Sequence, residues 1–220
     1  MSKSMLARGA SMAADVWGKL DTKVQAKGGT TDALHILAKE EGDALLEVIA
    51  DLLVRAELKT RNRFPVSVDY TGLTKNPDAW LAGQIAAGHY SYVNEHITVA
   101  NFPISGTGLP AGQAGVVETE IILVSFDRDI SSDYAVAELS RMGLEPARLE
   151  HATAFGAKYS DVQREYPIAF LGSSWVHSDG RRSVPCLDRW LGRRKLYLRW
   201  WPVDWPRRCR FAAVRKPACR

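Results

Sequence analysis

From Pro167 to the C-terminus the apolar runs are only six to eight residues long: "IAFLGSSW", "RSVPCL", "KLYLRWW" and "CRFAAVR". Each is bounded by Pro, Gly or charged residues, and none is long enough for a helix of ordinary length. The last third of the chain must therefore be short strands and loops, with "SDGRR" as a hairpin turn. "KLYLRWW" fixes the geometry further, because Leu196, Leu198 and Trp200 alternate with Tyr197, Arg199 and Trp201. That period of two belongs to a strand with one buried face. A solvated outer face is ordinarily built from Lys, Glu, Ser and Thr. Here it carries Tyr, Arg and Trp, the residues that supply binding energy at interfaces.

The upstream sequence has a different rhythm. Residues 4–26 read as a helix with Met12, Val16, Leu20 and Val24 along one stripe, stopped by Gly28-Gly29. A second helix, capped by Thr31 or Asp32, is expected to run to about Arg55 with Leu34, Leu37, Leu45, Val48 and Leu52 on its apolar line. The two form a helical hairpin over residues 1–60, whose apolar face needs a cover from the rest of the chain or from a partner. "LKTRNRFP" leads into a second domain, 61–220. Its expected order is a strand ("FPVSVDY"), a helix over 76–90 entered at Pro77-Asp78, a brief strand ("ITVANFPI"), the loop "SGTGLPAGQAG" and a strand over 116–126. Two helices follow, one capped by Ser131 or Ser132 and ended by Gly143, the other entered at Pro146. Strand, helices and then a loop-rich meander make an α+β layout.

Composition separates the last quarter of the chain from the rest. Residues 1–160 hold 15 Lys and Arg against 20 Asp and Glu, whereas residues 161–220 hold 14 against 5, a net of +9. Five of the seven Trp (175, 190, 200, 201, 205) and all three Cys (186, 209, 219) also fall there. No apolar run is long enough to cross a bilayer, and the N-terminus lacks an apolar core followed by a cleavage site. The default expectation is a cytoplasmic start without membrane insertion, which is compatible with later display on a cell surface or virion.

Sites for chemistry are sparse. "GTGLPAG" lacks the following Lys-Ser/Thr of a phosphate loop. His35, His89, His96, His151 and His177 show no metal-ligand spacing, and Asp179, Asp188 and Asp204 are too scattered to argue for calcium. No catalytic residue, cofactor or metal is expected. Cys186 and Cys209 would matter chemically only if the fold paired them. The basic, aromatic C-terminus fits single-stranded nucleic acid in principle, with cations for phosphates and rings for stacking. Trp200 and Trp205 read as core, while Tyr197, Arg199, Trp201, Arg207 and Arg208 fall on the exposed parity or in loops.

"GSSWVHSDGRRSVPCLDRWLGRRKLYLRWWPVDWPRRCRFAAVRK" (172–216) resembles the variable region of proteins diversified by diversity-generating retroelements. The similarity extends over roughly residues 64–216, most specifically in "GSSW", in "KLYLRWW" and in the ending "RFAAVRK". The resemblance implies a C-type lectin fold of the variety shared with formylglycine-generating enzymes. It also implies a binding protein without catalysis, whose ligand is a protein or surface structure. In such systems a reverse transcriptase acts on the gene, not on the protein, and misincorporation at template adenines alters Asn codons AAC and AAT. Randomising both adenines reaches the residues now at Val176, His177, Ser178, Ser183, Cys186, Asp188, Tyr197, Arg199, Pro202, Val203, Pro206, Arg207, Arg208 and Cys209. These are the candidate variable, ligand-binding positions. Trp190, Lys195 and Trp201 stand among them yet cannot arise from AAC or AAT. The alternatives are a single-stranded nucleic-acid binder using the basic, aromatic C-terminus, and an enzyme related to formylglycine generation acting through Cys186 and Cys209.

Overall fold

The computed structural model describes residues 3–39, 42–104 and 115–215, and side chains over most of these. The glycine-rich loop 106–112, Lys216 and Cys219 lie outside them. The chain divides into two compact units, residues 1–57 and 58–220, and is α+β.

In the first unit α1 spans Lys3–Ala26. The expected single second helix is instead a 3-10 helix, Thr31–Ala38, followed by α2, Asp43–Arg61. The cap of the first is Thr30 rather than Thr31 or Asp32, and its side chain makes no capping bond. The break has a steric cause: a Cβ on Gly42 would lie 2.2 Å from the Ile36 carbonyl oxygen. The backbone turns back on itself so tightly there that only glycine fits. Leu34 is buried, while Leu45, Val48 and Leu52 are exposed.

The second unit is organised on one sheet. Its strands are β1 Arg63–Asp69, β2 Tyr92–Val93, β3 Val116–Val124, β4 Leu144–Pro146, β5 Ile168–Ala169, β6 Trp175–Val176, β7 Arg182–Trp190, β8 Arg193–Trp200 and β9 Arg210–Arg215. The order is β1-β3-β9-β5-β7-β8-β2, with β4 on β9 and β6 on β7. Four helices accompany it: α3 Pro77–Ala87, α4 Ser132–Arg141, α5 Leu149–Lys158 and the short α6 Val162–Glu165. The caps of the two expected starts hold. Asn76 Oδ1 accepts from Ala79 N–H with Pro77 in the first turn, and Ser131 Oγ accepts from Tyr134 N–H.

Two expectations fail. Residues 97–104 are turns rather than a strand; the pairing in that region is made by Tyr92 and Val93 with β8. Pro146 does not open a helix but ends β4, paired with Ala213 of β9, and α5 starts at Leu149. Turn-like polarity after Gly143 masked a three-residue strand, because such a short segment carries no period of its own.

Each face of the sheet has a core. On one face Phe64, Val66 and Val68 meet Leu149, Ala152 and Phe155 of α5, and Phe64 packs edge-on to Phe155 at 5.3 Å. On the other, Ala135 and Leu139 of α4 meet Val184, Cys186, Cys209, Phe211 and Trp205. Alternate residues of β9 thus serve both cores, Ala212 and Val214 the first, Phe211 and Ala213 the second.

Candidate ligand-binding surface

β7 and β8 form a hairpin whose register pairs Ser183 with Trp200, Cys186 with Tyr197 and Trp190 with Arg193. Its two-residue turn is Leu191-Gly192, both at positive φ (48° and 78°), the arrangement of the mirror-image turns that match strand twist. Paired residues share a face, so Leu196, Leu198 and Trp200 point one way and Tyr197, Arg199 and Lys195 the other. The expected alternation is present, but the outer face is not bare. Tyr197 and Arg199 are half-buried, because the second core, Trp205 and the 201–208 loop lie against this side. Phe211 belongs to the Tyr197 side, in the second core.

The fourteen candidate positions separate. Val176, Ser178, Pro202, Arg207 and Arg208 are exposed, and His177, Asp188, Tyr197, Arg199, Val203 and Pro206 partly so. Ser183, Cys186 and Cys209 are buried, at 2%, 0% and 1% exposure, and present nothing to a ligand. Alternation along β7 was a poor guide there, since five consecutive residues, Ser183–Leu187, are covered on both faces. The loops 176–181 and 201–208 meet at the open end of the hairpin, where Trp201 N–H donates to the Arg182 carbonyl at 2.8 Å. Asp188 lies five residues along β7 from Ser183, about 17 Å away at the rise of an extended strand. The candidate positions therefore occupy two patches.

At the open end a chain of rings is assembled. His96 lies 4.8 Å from Trp175, Trp175 3.6 Å from His177, and His177 4.9 Å from Trp200. His177 Nε2 is 2.8 Å from Ser183 Oγ. This resembles a nucleophile and base in spacing only, because the serine is buried. The nearby Asp179 carboxylate is held by the Arg181 N–H and guanidinium at 3.0 and 2.6 Å, which lowers its pKa. The aromatic faces are largely occupied by the protein's own cations. Arg181 sits 4.2 Å over Trp200, Arg182 3.5 Å over Trp201, Lys195 4.2 Å over Tyr197 and Arg199 4.8 Å over Trp205. Trp205 is fully buried, its Nε1–H donating to Ser132 Oγ at 2.8 Å.

The two described cysteines are free. Cys186 pairs with Ala169, and Ala169 with Phe211, two residues beyond Cys209. Cys209 lies in the loop just before β9, and both thiols belong to the second core. Burial pushes the Cys186 thiol up to about 12 and raises Cys209 as well, so both are protonated at neutral pH. Among the described residues no group of three or more His, Cys, Asp or Glu could hold a metal ion.

The second patch is a cleft of about 560 Å³ under the hairpin turn, lined by residues 163–167, 188–192, Lys195 and Arg208. Sequence reasoning missed Arg164, Tyr166 and Leu191 here. The "WLGR" turn was the available signal for the last, and no local signal places α6 against the hairpin. Gln163 makes that contact, donating to the Asp188 carbonyl at 2.8 Å and the Lys195 carbonyl at 3.2 Å.

Compared with protein-family models, curated proteins and solved structures, the chain matches none. Among the described residues no helix is long and apolar enough to cross a membrane.

Proposed function

We propose that this is a non-catalytic ligand-binding protein whose C-terminal region displays a diversified surface on a C-type lectin scaffold. The observation that carries the reading is the division of labour in the β7–β8 hairpin and its loops. Eleven of the fourteen codon-compatible positions reach solvent, while Leu196 and Leu187 beneath them are fully buried. The exposed ones, Val176, Ser178, Pro202, Arg207 and Arg208, can therefore change without disturbing the packing that holds the strands, whereas Tyr197 and Arg199 also lean on the second core. The scaffold reading is supported by the element order and by β1 and β9, from opposite ends of the domain, both pairing with β3. The ligand is a protein or surface structure, recognised as a paratope recognises its target, with Tyr, Trp and Arg giving large contact area at low entropy cost.

A single-stranded nucleic-acid surface is less well supported, since the ring faces on which bases would stack carry intramolecular cations. The test is deep sequencing of the 3′ end of the gene across the source population, with its flanking DNA. Variation at the codons of Tyr197, Arg199 and Arg208, with Leu196 and Leu198 constant and an adenine-rich near-copy beside a reverse transcriptase, is the expected result. An invariant 3′ end without a template repeat overturns it.

A further inference from the structure

We infer that the cleft under the β7–β8 turn is a constant anchor within this surface and takes the carboxylate of an acidic peptide segment. Its constancy rests on the reading above; its preference for a carboxylate rests on the chemistry of the cleft alone.

Four cations line the cleft, Arg164, Arg189, Lys195 and Arg208, against two carboxylates, Glu165 and Asp188. Asp188 is already engaged, by the Arg189 N–H at 2.7 Å and by Lys195 Nζ at 3.9 Å. Arg164 spends one N–H on the Gly192 carbonyl at 2.8 Å. Arg208 is exposed and forms no ion pair among the described residues. The balance is a positive cleft with an unmatched guanidinium at its rim, suited to a carboxylate. Trp190 stands at the lip, 68% exposed, with Lys195 Nζ 5.7 Å from its ring, so an apolar flank beside the acidic group gains a platform.

The same two residues, Trp190 and Lys195, cannot arise by randomising AAC or AAT, whereas Asp188, Tyr197 and Arg208 around them can. A fixed cation and a fixed ring thus sit among changeable neighbours. The constant part of the anchor is therefore Lys195 with Trp190, while Arg208 and Asp188 set the strength of the cleft's positive charge from one variant to the next. An extended phosphodiester strand fits less well. It needs a continuous cation track and open ring faces, whereas this cleft is short and has carboxylates in its wall.

The test is fluorescence anisotropy of labelled, end-blocked decaglutamate with the full-length protein at low salt, beside labelled dT10. Decaglutamate is expected to bind in a salt-sensitive manner. Lys195→Gln and Arg208→Ser should each weaken it by about fivefold, as loss of an exposed charge pair would. Arg215→Ser, an exposed site on β9, should leave it unchanged, with circular dichroism confirming the fold of each variant. No decaglutamate binding, equal weakening by Arg215→Ser, or tighter binding of dT10 would each overturn the inference. An invariant 3′ end would remove the diversification but leave these titrations standing. Varying codons at Trp190 or Lys195 would remove only the anchor's constancy.

Discussion

The Arg194 guanidinium donates to the Gly88 carbonyl at 2.5 Å, tying β8 to the end of a helix 106 residues earlier. The same group donates to the Gly156 carbonyl of α5 and to Gln163 Oε1, and lies 4.9 Å from the Tyr90 ring. Arg194 is 6% exposed and meets carbonyl acceptors rather than a carboxylate. Two helices and α6 are thereby fixed to the strand beside the proposed surface. Arg194→Met should cost about 3 kcal/mol, since it leaves several buried acceptors unpaired. Urea denaturation would measure it, and a loss below about 1 kcal/mol would show the clamp to be dispensable.

Tyr90 makes a second, steric claim on the same place. A Cβ on Gly156 would lie 1.9 Å from Tyr90 Oη, and that hydroxyl is buried without a hydrogen-bond partner among the described residues. Gly156→Ala should destabilise by about 2 kcal/mol through overpacking. Tyr90→Phe should be neutral or stabilising, because it removes an unsatisfied polar atom. In the double variant the alanine should cost less, which a double-mutant cycle would read directly.

Stability should fall in mild acid because of His151. Burial lowers its pKa to about 4, and its Nδ1 accepts from the Arg148 N–H at 3.0 Å. The unfolded chain, with an ordinary value near 6.5, takes up the proton first. The contribution is therefore complete above about pH 6.5 and is lost progressively down to about pH 4, roughly 3 kcal/mol in all. His151→Gln can keep the bond to Arg148 and should flatten the stability profile across that window.

Leu191 sits in the left-handed region (φ 48°) at 86% exposure, in a turn that favours Asn-Gly. Leu191→Asn should raise stability by about 1 kcal/mol. A thermal melt of the variant tests the strain.

On the proposed reading, Ser183, Cys186 and Cys209 are where diversity should stop. All three are buried, so bulky replacements there should cost about 1–3 kcal/mol, whereas changes at Val176, Pro202 or Arg207 should stay within about 0.5 kcal/mol. Sequenced variants should hold only small residues at the buried three. Frequent Tyr or Arg at Cys186 would contradict this packing.

Much of the architecture was readable because it rests on local rules. Asn76-Pro77 and Ser131 announce helices by hydrogen bonds made within one turn. The alternation in "KLYLRWW" assigns its residues to faces whatever lies above them. The Gly42 break and the β4 strand were not readable, since the first depends on a carbonyl six residues away and the second on pairing with β9.

Sequence by itself determined which residues share a face and that charge and Trp gather in the last quarter. The tertiary structure alone decided what those faces meet. It put α4 and Trp205 over the second face, burying Cys186 and Cys209. It also brought α6 under the hairpin turn to make a cleft around Lys195 and Arg208. The physical reason is that a strand's period specifies a direction for each side chain, whereas burial and charge balance depend on elements distant in the chain packing against that direction.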